Sequence, residues 1–401
     1  MSSTWSFYSA GQLVFGSGAA AQLGRLVGER NLKSVLIVTD PALIAAGVLD
    51  RVRSPLIKAG IEVDVFDGGE PEPALEVADR AIEHARGFSP DAILGLGGGS
   101  NMDVAKITSA VFTHGGKLSD YFSYDNVPGE VTPIICVPTT AGTGSEVSHA
   151  GVLTDTAGEM KVSILSNYLR PCLAVVDPVL TLTCPPQATA DSGIDALTHA
   201  VEAYTARPSE DFPLEPGQSS PYYGSQPLTD CFAEKAIQLV GQHLVTAVRE
   251  PDDLAAREGM ALAATLAGLA FSNAGVAVVH ALEYPLGGVL HCSHGGGNGL
   301  LLPFVMRYNL PACQQKTANI ARLLGGDVSS LDEPQAAELA ISTIEQLKRD
   351  IGIPLRLRDL GAHGDQLPGF AEKAFAIKRL MQINPREPTL DDLVGILRSA
   401  L

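Results

Sequence analysis

A carboxylate and an imidazole stand four residues apart in one segment, as Asp195 and His199. On an α-helix, residues at this spacing project from the same face, so the two side chains can share one ion. This pair is the first half of a candidate metal site.

Two further histidines, His280 and His294, lie fourteen residues apart. The segment between them contains Pro285 and Gly287-Gly288, and a break there would return the chain to the same point. Three imidazoles and one carboxylate suit a divalent first-row ion such as Fe²⁺ or Zn²⁺, and an open coordination position would make that ion catalytic. A single histidine is more commonly structural, and we expect His291 to lie outside the ligand set.

A glycine-rich turn follows an apolar strand and precedes a helix in the segment Gly95–Lys106. Strand, glycine turn and helix N-terminus in this order form an anion site, because free N–H groups and the helix dipole both favour a phosphate. Ser100 can cap the helix. Ser100 also stands where the dinucleotide fingerprint requires its last glycine, so the segment matches neither that fingerprint nor a Walker A loop. A simple tight turn is the alternative.

Two polar positions follow the first and the fourth predicted strands. Asp40 ends the first strand, where its carboxylate could bind a ribose diol and repel a 2′-phosphate, or could equally be a helix N-cap. The turn Pro138–Glu146 offers hydroxyls and small residues against which a ligand could sit closely.

Short β-branched runs alternate with helical periodicity as far as Pro178, which predicts βαβ units around a mostly parallel sheet. Beyond Pro186 few residue patterns indicate strands, and the sequence predicts successive helices. We therefore predict an α/β domain over residues 1–182 and an all-helical domain over 183–401, with any ligand cleft between them. The predicted strands are Ser34–Thr39, Ile61–Phe66, Asp91–Leu96, Thr132–Pro138 and Leu173–Asp177, and the predicted helices include Ala188–Tyr204, Thr229–Val248, Leu254–Ala270, Pro334–Asp350 and Leu390–Leu401.

The composition narrows the class of protein. The 401 residues carry 45 Asp and Glu against 28 Lys and Arg, a net charge of −17 that disfavours nucleic acids and anionic membranes as partners. The first 24 residues contain no Lys or Arg, so we read no secretory or transit signal and expect a cytoplasmic protein. Residues 259–282 lack charged side chains, but their Ala, Gly and polar residues indicate buried core helices rather than a membrane span.

Two further features remain. The six cysteines lie far apart without a C-x-x-C pair, so we expect mostly buried free thiols. The segment Arg207–Leu228 holds five Pro, two Gly and four Ser, with Tyr222 and Tyr223 in its middle, and fits no regular element. We favour an ordered surface loop or a subunit contact over a flap beside a cleft.

Taken together, Gly97–Lys106, Pro138–Glu146, the Asp195/His199 helix and the His280/His294 pair resemble the iron-containing (group III) alcohol dehydrogenases. The similarity extends from Phe15-Gly16 to Asn384-Pro385-Arg386. The resemblance implies a Rossmann-like N-terminal domain and a helical C-terminal domain, the architecture shared with dehydroquinate synthase, and a homodimer or larger homo-oligomer.

The resemblance also implies the roles of individual residues. Asp195, His199, His280 and His294 would hold the metal, Fe²⁺ in preference to Zn²⁺. NAD, in preference to NADP, would be bound by a set of residues in the N-terminal domain: Asp40, Gly97, Gly98, Gly99, Ser100, Asp103, Thr139, Thr140, Thr143, Ser145 and the nearby Lys161. The implied reaction is a reversible hydride transfer between an alcohol, or a hydroxy acid, and NAD, with the ion lowering the pKa of the alcohol.

Two departures leave alternatives open. Many members of the family have a histidine four residues after the third ligand, assigned to a proton relay, where this chain has Tyr284. The segment Arg207–Leu228 is also absent from compact members, and both features resemble the hydroxyacid–oxoacid transhydrogenase branch, in which the nicotinamide stays bound. A dehydroquinate synthase-like lyase is less favoured because we identify no basic pocket for a phosphorylated acid, and a non-catalytic sensor is disfavoured by a complete ligand quartet.

Overall fold

The computed structural model describes residues 4–158, 160–212 and 219–401. It divides into two compact units, one formed by Tyr8–Cys184 and the other by Pro185–Leu401 together with residues 4–7. The first unit is α/β and the second is helical, so the predicted fold class is confirmed.

The α/β unit contains nine strands and five longer helices in its described residues. The strands are β1 (Leu13–Phe15), β2 (Ser34–Val38), β3 (Glu62–Phe66), β4 (Ala92–Gly97), β5 (Ser123–Tyr124), β6 (Ile134–Pro138), β7 (Ala150–Asp155), β8 (Met160–Leu165) and β9 (Leu173–Val176). The helices are α1 (Leu23–Gly28), α2 (Pro41–Ala45), α3 (Val48–Lys58), α4 (Leu75–Phe88) and α5 (Gly99–His114).

Six strands form one parallel sheet in the order β1-β9-β6-β4-β2-β3. The chain leaves β2 toward β3 on one side and then continues through β4, β6 and β9 on the other. The direction of winding therefore reverses between β2 and β4, which is the point where open α/β sheets bind ligands at the carboxyl ends of their strands. All residues of β4, β6 and β9 are buried, as expected for strands covered by helices on both faces.

A second sheet, in the order β5-β8-β7, is mostly antiparallel. The sequence pattern did not indicate it, because β7 and β8 are largely half-buried and mix polar with apolar residues. Strand β1 is also outside the prediction, since three residues give too short a signal. Both omissions are local and leave the parallel core as predicted.

The helical unit holds nine longer helices in its described residues. They are α6 (Pro186–Thr205), α7 (Pro227–Arg249), α8 (Leu254–Ala274), α9 (Val278–Leu290), α10 (His294–Leu323), α11 (Glu333–Ile351), α12 (Leu367–Phe375), α13 (Lys378–Ile383) and α14 (Leu390–Ala400). Helix α8 is long and apolar enough to cross a membrane, yet 72% of its most apolar window is buried inside the protein. This is the pattern of a core helix, as the sequence indicated.

The turn between His280 and His294 is not where we expected it. Helix α9 continues through Pro285, which the helix accommodates, and through the two glycines that follow. The chain reverses instead at His291, which adopts a left-handed conformation with φ of 54° and caps the helix. His291 is exposed at this corner. Ser293 then begins α10 by accepting a hydrogen bond from the backbone N–H of Gly296.

Two smaller expectations need adjustment. All six cysteines are free, as predicted, but only Cys136 is fully buried and Cys231 is exposed. The segment Arg207–Leu228 is not a simple surface loop, because Tyr222 and Tyr223 are buried. The backbone N–H of Tyr223 bonds to the carbonyl of Asn273 at the end of α8, which anchors this part of the segment. Residues 213–218 of the segment lie outside the described residues.

Candidate functional site

Helix α6 places Asp195 and His199 one turn apart on the same face, and both side chains are buried. Helix α10 packs closely against this face because Gly295 and Gly299 lack a β-carbon. A β-carbon at Gly299 would lie 2.6 Å from Cγ1 of Ile194, and one at Gly295 would lie 2.0 Å from a backbone oxygen of α6. The two glycines therefore bring the start of α10 against the polar face of α6.

Three of the four residues that the sequence singled out, Asp195, His280 and His294, converge on one point, each with a possible ligand atom within 4.8 Å of the others, and His199 lies beside them. The Nε2 atoms of His280 and His294 each lie 3.9 Å from Oδ1 of Asp195. Nε2 of His199 lies 3.0 Å from Nε2 of His280. Ligands bound at about 2.1 Å to one ion are separated by roughly 3–4 Å, so these separations fit a shared divalent cation.

His199 is held in a form that suits a metal ligand. Its ring stacks on Phe271 of α8, with centroids 4.2 Å apart. Burial lowers its pKa to about 3, so the imidazole is neutral at physiological pH. Among the described residues, its buried Nδ1 has no hydrogen-bond partner, and Oδ2 of Asp195 lies 3.6 Å away. A neutral imidazole beside a buried carboxylate is the donor chemistry of a divalent transition-metal site, and the residues fit such an ion.

Three polar residues that the sequence analysis missed surround this cluster. Nδ1 of His280 lies 2.6 Å from Glu202, and Nδ1 of His294 lies 2.5 Å from Glu283. The side-chain amide of Asn298 donates to Oδ1 of Asp195 over 2.8 Å. A pattern was available for both glutamates, because Glu202 is three residues after His199 and Glu283 three after His280 on their helices.

Tyr284 lies beside the cluster. Its side chain is 8% exposed, and its ring centroid is 6.2 Å from that of His294. Tyr222, from the long segment before α7, is close enough to be affected by it: burial, and then the nearby Tyr284, raise the pKa of Tyr222 above its ordinary value. The second half of the segment therefore approaches the neighbourhood of the candidate metal centre.

The glycine turn of the α/β unit forms a helix N-terminus without a side-chain cap among the described residues. Ser100 is not the cap that we expected. Gly97 adopts a φ of 145°, the helix begins at Gly99, and Gly98 is the N-cap residue, which leaves Ser100 inside the first turn. The first backbone N–H groups of α5 are thus available to an anion.

The polar turn after β6 packs against this glycine turn, as an anion cradle requires. The backbone N–H of Thr139 bonds to the carbonyl of Gly97. A β-carbon at Gly98 would lie 3.4 Å from Oγ1 of Thr140. A β-carbon at Gly99 would lie 2.7 Å from Cγ2 of Thr143, so only glycine fits there without a shift. The structure therefore brings together two turns that the sequence presents forty residues apart.

Asp40 lies at the carboxyl end of β2, across the switch point from the glycine turn. Its Oδ1 accepts a hydrogen bond from the backbone N–H of Leu43, so it is the N-cap of α2. Its Oδ2 accepts a second bond from the amide of Asn101, which also donates to the carbonyl of Leu96. Asn101, another residue that the sequence analysis did not select, thus ties Asp40 to the glycine turn.

Asp103, Ser145 and the buried Lys106 form an internal network. Ser145 Oγ donates to Asp103 over 2.7 Å, and Asp103 also accepts from the backbone N–H of Val152 over 3.0 Å. Burial raises the pKa of Asp103. Both predicted cofactor residues are therefore engaged within the protein. Lys161 lies in β8, where its Nζ is 2.5 Å from a carboxylate oxygen of Glu72.

Comparison with known protein families identifies the family to which the chain belongs. A model of the iron-containing alcohol dehydrogenase family matches residues 10–178, and a model of the C-terminal part of Fe-containing alcohol dehydrogenases matches residues 222–401. The chain belongs to the iron-containing alcohol dehydrogenase family. Helix α6, which carries Asp195 and His199, falls between the two matched ranges, so the family models do not cover these two residues. The geometry of the cluster places Asp195 with His280 and His294.

Individual relatives cover almost the whole chain. An NAD-dependent methanol dehydrogenase of Bacillus methanolicus is 35% identical over 97% of this chain and 97% of its own length. Long-chain-alcohol dehydrogenase 1 of Geobacillus thermodenitrificans is 39% identical over 96% and 94%. A crystal structure of 1,3-propanediol oxidoreductase superposes with a TM-score of 0.92, at 38% identity and full coverage of both chains. This iron-type alcohol dehydrogenase is therefore an oxidoreductase, and its relatives act on small and large alcohols.

Proposed function

We propose that this dehydrogenase interconverts an alcohol and its aldehyde or ketone with NAD, using one divalent metal ion held by Asp195, His199, His280 and His294. The observation that carries the proposal is the convergence of Asp195, His280 and His294, whose possible ligand atoms lie within 4.8 Å of one another, with Nε2 of His199 3.0 Å from Nε2 of His280. Fe²⁺ is favoured over Zn²⁺, in keeping with the family. Both ions accept this donor set.

The ion, when bound, would lower the pKa of an alcohol and polarise a carbonyl, while NAD would supply the hydride acceptor. Asp195 and the three histidines would hold the charge at a fixed point in a largely buried site, where electrostatic effects are stronger than in water. Tyr284 places a hydroxyl-bearing ring beside His294, where it can exchange a proton with the substrate.

The glycine turn and its surroundings would bind the cofactor. The uncapped N-terminus of α5 would face the pyrophosphate. The backbone of the turn would approach the phosphate oxygens closely at Gly97, Gly98, Gly99 and Ser100. Asp40 would accept hydrogen bonds from the adenosine ribose and disfavour the 2′-phosphate of NADP. The remaining residues that we predict to contact the cofactor are Asp103, Thr139, Thr140, Thr143, Ser145 and Lys161.

The substrate class stays broad in this proposal, because the named relatives use methanol, long-chain alcohols and a propanediol. A hydroxy acid as hydride donor, with an oxo acid as acceptor and a retained nicotinamide, is the second candidate. Two features favour it: Tyr284 in the position of the relay histidine, and the segment that brings Tyr222 to the neighbourhood of the metal cluster. We also propose a cytoplasmic homodimer or larger homo-oligomer.

An assay of anaerobically purified protein tests these functions. A panel of alcohols and hydroxy acids is offered with NAD⁺, and NADH formation is followed by absorbance. We expect NADH from at least one simple alcohol, and loss of that activity in Asp195→Ala with NAD binding retained. Full turnover by metal-free Asp195→Ala would contradict the metal role. Turnover with an oxo acid but without added NAD⁺ would select the transhydrogenase reaction.

A further inference from the structure

Two buried carboxylates lie directly behind the candidate metal ligands without belonging to the ligand set. Glu202 of α6 is 2.6 Å from Nδ1 of His280, and Glu283 of α9 is 2.5 Å from Nδ1 of His294. Each carboxylate contacts the ring nitrogen that faces away from Asp195. We propose that Glu202 and Glu283 are positioning residues that set the metal affinity of the site, an inference that rests on the proposed metal function.

The chemistry of histidine supports this role. A neutral imidazole carries one proton, and a carboxylate at Nδ1 places that proton on Nδ1. Nε2 is then left with its lone pair, and in both histidines Nε2 is the atom that lies 3.9 Å from Oδ1 of Asp195. The same hydrogen bond fixes the ring orientation and increases the basicity of the ligand. Both glutamates thus prepare their histidine for a cation at the convergence point.

The third histidine shows the contrast. His199 has no such carboxylate, and among the residues that the structure describes its Nδ1 finds no hydrogen-bond partner. Its ring is held by stacking on Phe271 instead. The three imidazole rings are therefore oriented in different ways. Hydrogen bonds to carboxylates fix His280 and His294, whereas packing fixes His199.

Glu283 is the sharper probe of the two carboxylates. Glu202 also accepts hydrogen bonds from the backbone N–H groups of Ala277 and Val279, so it helps to start α9 and its loss would disturb the fold. Glu283 is fully buried, and helix α10 approaches it closely: a β-carbon at Gly297 would lie 2.9 Å from Cγ of Glu283. A substitution at Glu283 must therefore keep its volume, which favours Glu283→Gln.

The test measures metal binding rather than turnover. The full-length protein is stripped of metal, and the dissociation constant for Co²⁺ is measured by competition with a chromophoric chelator, with the visible spectrum of bound Co²⁺ as a second readout. Glu283→Gln should bind Co²⁺ about 10–100-fold more weakly than the wild type, the usual cost of losing such a partner. Glu234→Gln is the matched control, because Glu234 accepts a hydrogen bond from Tyr204 elsewhere in the same unit and its loss should leave Co²⁺ affinity unchanged.

A double-mutant cycle separates positioning from general destabilisation. If Glu283 acts through His294, then Glu283→Gln should change Co²⁺ affinity less than about threefold in the His294→Ala background. An equal loss in both backgrounds, or an unchanged affinity in the single variant, would overturn the inference. If Glu283→Gln does not fold, judged by its thermal unfolding without metal, the same cycle is run with Glu202→Gln and His280→Ala, because glutamine keeps the volume of Glu202 and one oxygen that accepts a backbone hydrogen bond at the start of α9. A wild-type protein that binds no Co²⁺ would instead overturn the proposed metal function.

Discussion

Replacing Lys106 by methionine should destabilise the protein by about 3–5 kcal/mol, because several buried oxygens would lose their donor at ~1–3 kcal/mol each. The Lys106 side chain is 0% exposed. Its ammonium donates to Oγ of Ser145 over 2.8 Å, to the carbonyl and hydroxyl of Ser148 over 3.1 Å each, and to the carbonyl of Ala150 over 2.9 Å. It thereby ties α5, which begins in the glycine turn, to the chain that follows the polar turn.

The magnitude follows from what methionine would leave behind. Burial lowers the pKa of Lys106 and raises that of Asp103, while the opposite charges stabilise each other. Without the ammonium, the buried carboxylate of Asp103 would lose the nearby positive charge and keep only its hydrogen bonds from Ser145 and Val152, and two backbone carbonyls would lose a partner. Removing both charges, as in Asp103→Asn with Lys106→Met, should destabilise the protein by less than the sum of the two single changes. The reason is that the double variant leaves no buried charge without its opposite charge.

Urea unfolding of the single and double variants, followed by circular dichroism, measures these costs. NAD binding, followed by fluorescence, should weaken in Lys106→Met because the polar turn is no longer held against the glycine turn. A loss of stability below 1 kcal/mol in Lys106→Met, or strictly additive single changes, would refute the argument.

Three further predictions concern other parts of the molecule. Gly99→Ala should weaken NAD binding tenfold or more, since its β-carbon would meet Thr143 at 2.7 Å, whereas Gly28→Ala, which meets open space, should leave NAD affinity unchanged; equal affinities in the two variants would exclude the cradle. Asp40→Ala should lower the free energy of unfolding by about 1 kcal/mol through loss of the α2 cap and raise the use of NADP relative to NAD in steady-state kinetics; an unchanged cofactor ratio would refute that role. Burial lowers the pKa of Lys348 from 10.5 to about 8, so the unfolded chain binds more protons than the native protein between these values and stability should rise with pH there, by up to ~3 kcal/mol; urea unfolding of Lys348→Met, compared with wild type across this range, should lack that rise.

The candidate metal residues could be read from the sequence because each half of the set lies on a single helix or helical hairpin. The i, i+4 spacing of Asp195 and His199 fixes their common face before any tertiary structure is known. The position of the reversal between His280 and His294 could not be predicted, because a proline and two glycines favour a break that packing overrides. Only the three-dimensional structure shows that α9 continues and that His291 makes the turn.

The supporting residues were harder to foresee, since they act between elements. Asn101 reaches from α5 to Asp40, and Asn298 reaches from α10 to Asp195. Side-chain amides occur throughout any sequence, and no local spacing distinguishes those that join two helices or a helix and a strand end. The capping role of Ser100 was wrong for a related reason: the exact start of a helix depends on backbone geometry, here on Gly97, and helix boundaries are poorly determined by residue preference alone.

The central claim is that Asp195, His199, His280 and His294 hold one divalent ion. Diffraction from crystals of anaerobically purified protein, collected on both sides of the iron absorption edge, tests it most directly. We predict a single anomalous peak within about 2.0–2.3 Å of a carboxylate oxygen of Asp195 and of a nitrogen of each histidine. A well-ordered site without such a peak after reconstitution with Fe²⁺, or a peak bound by other residues, would contradict the claim.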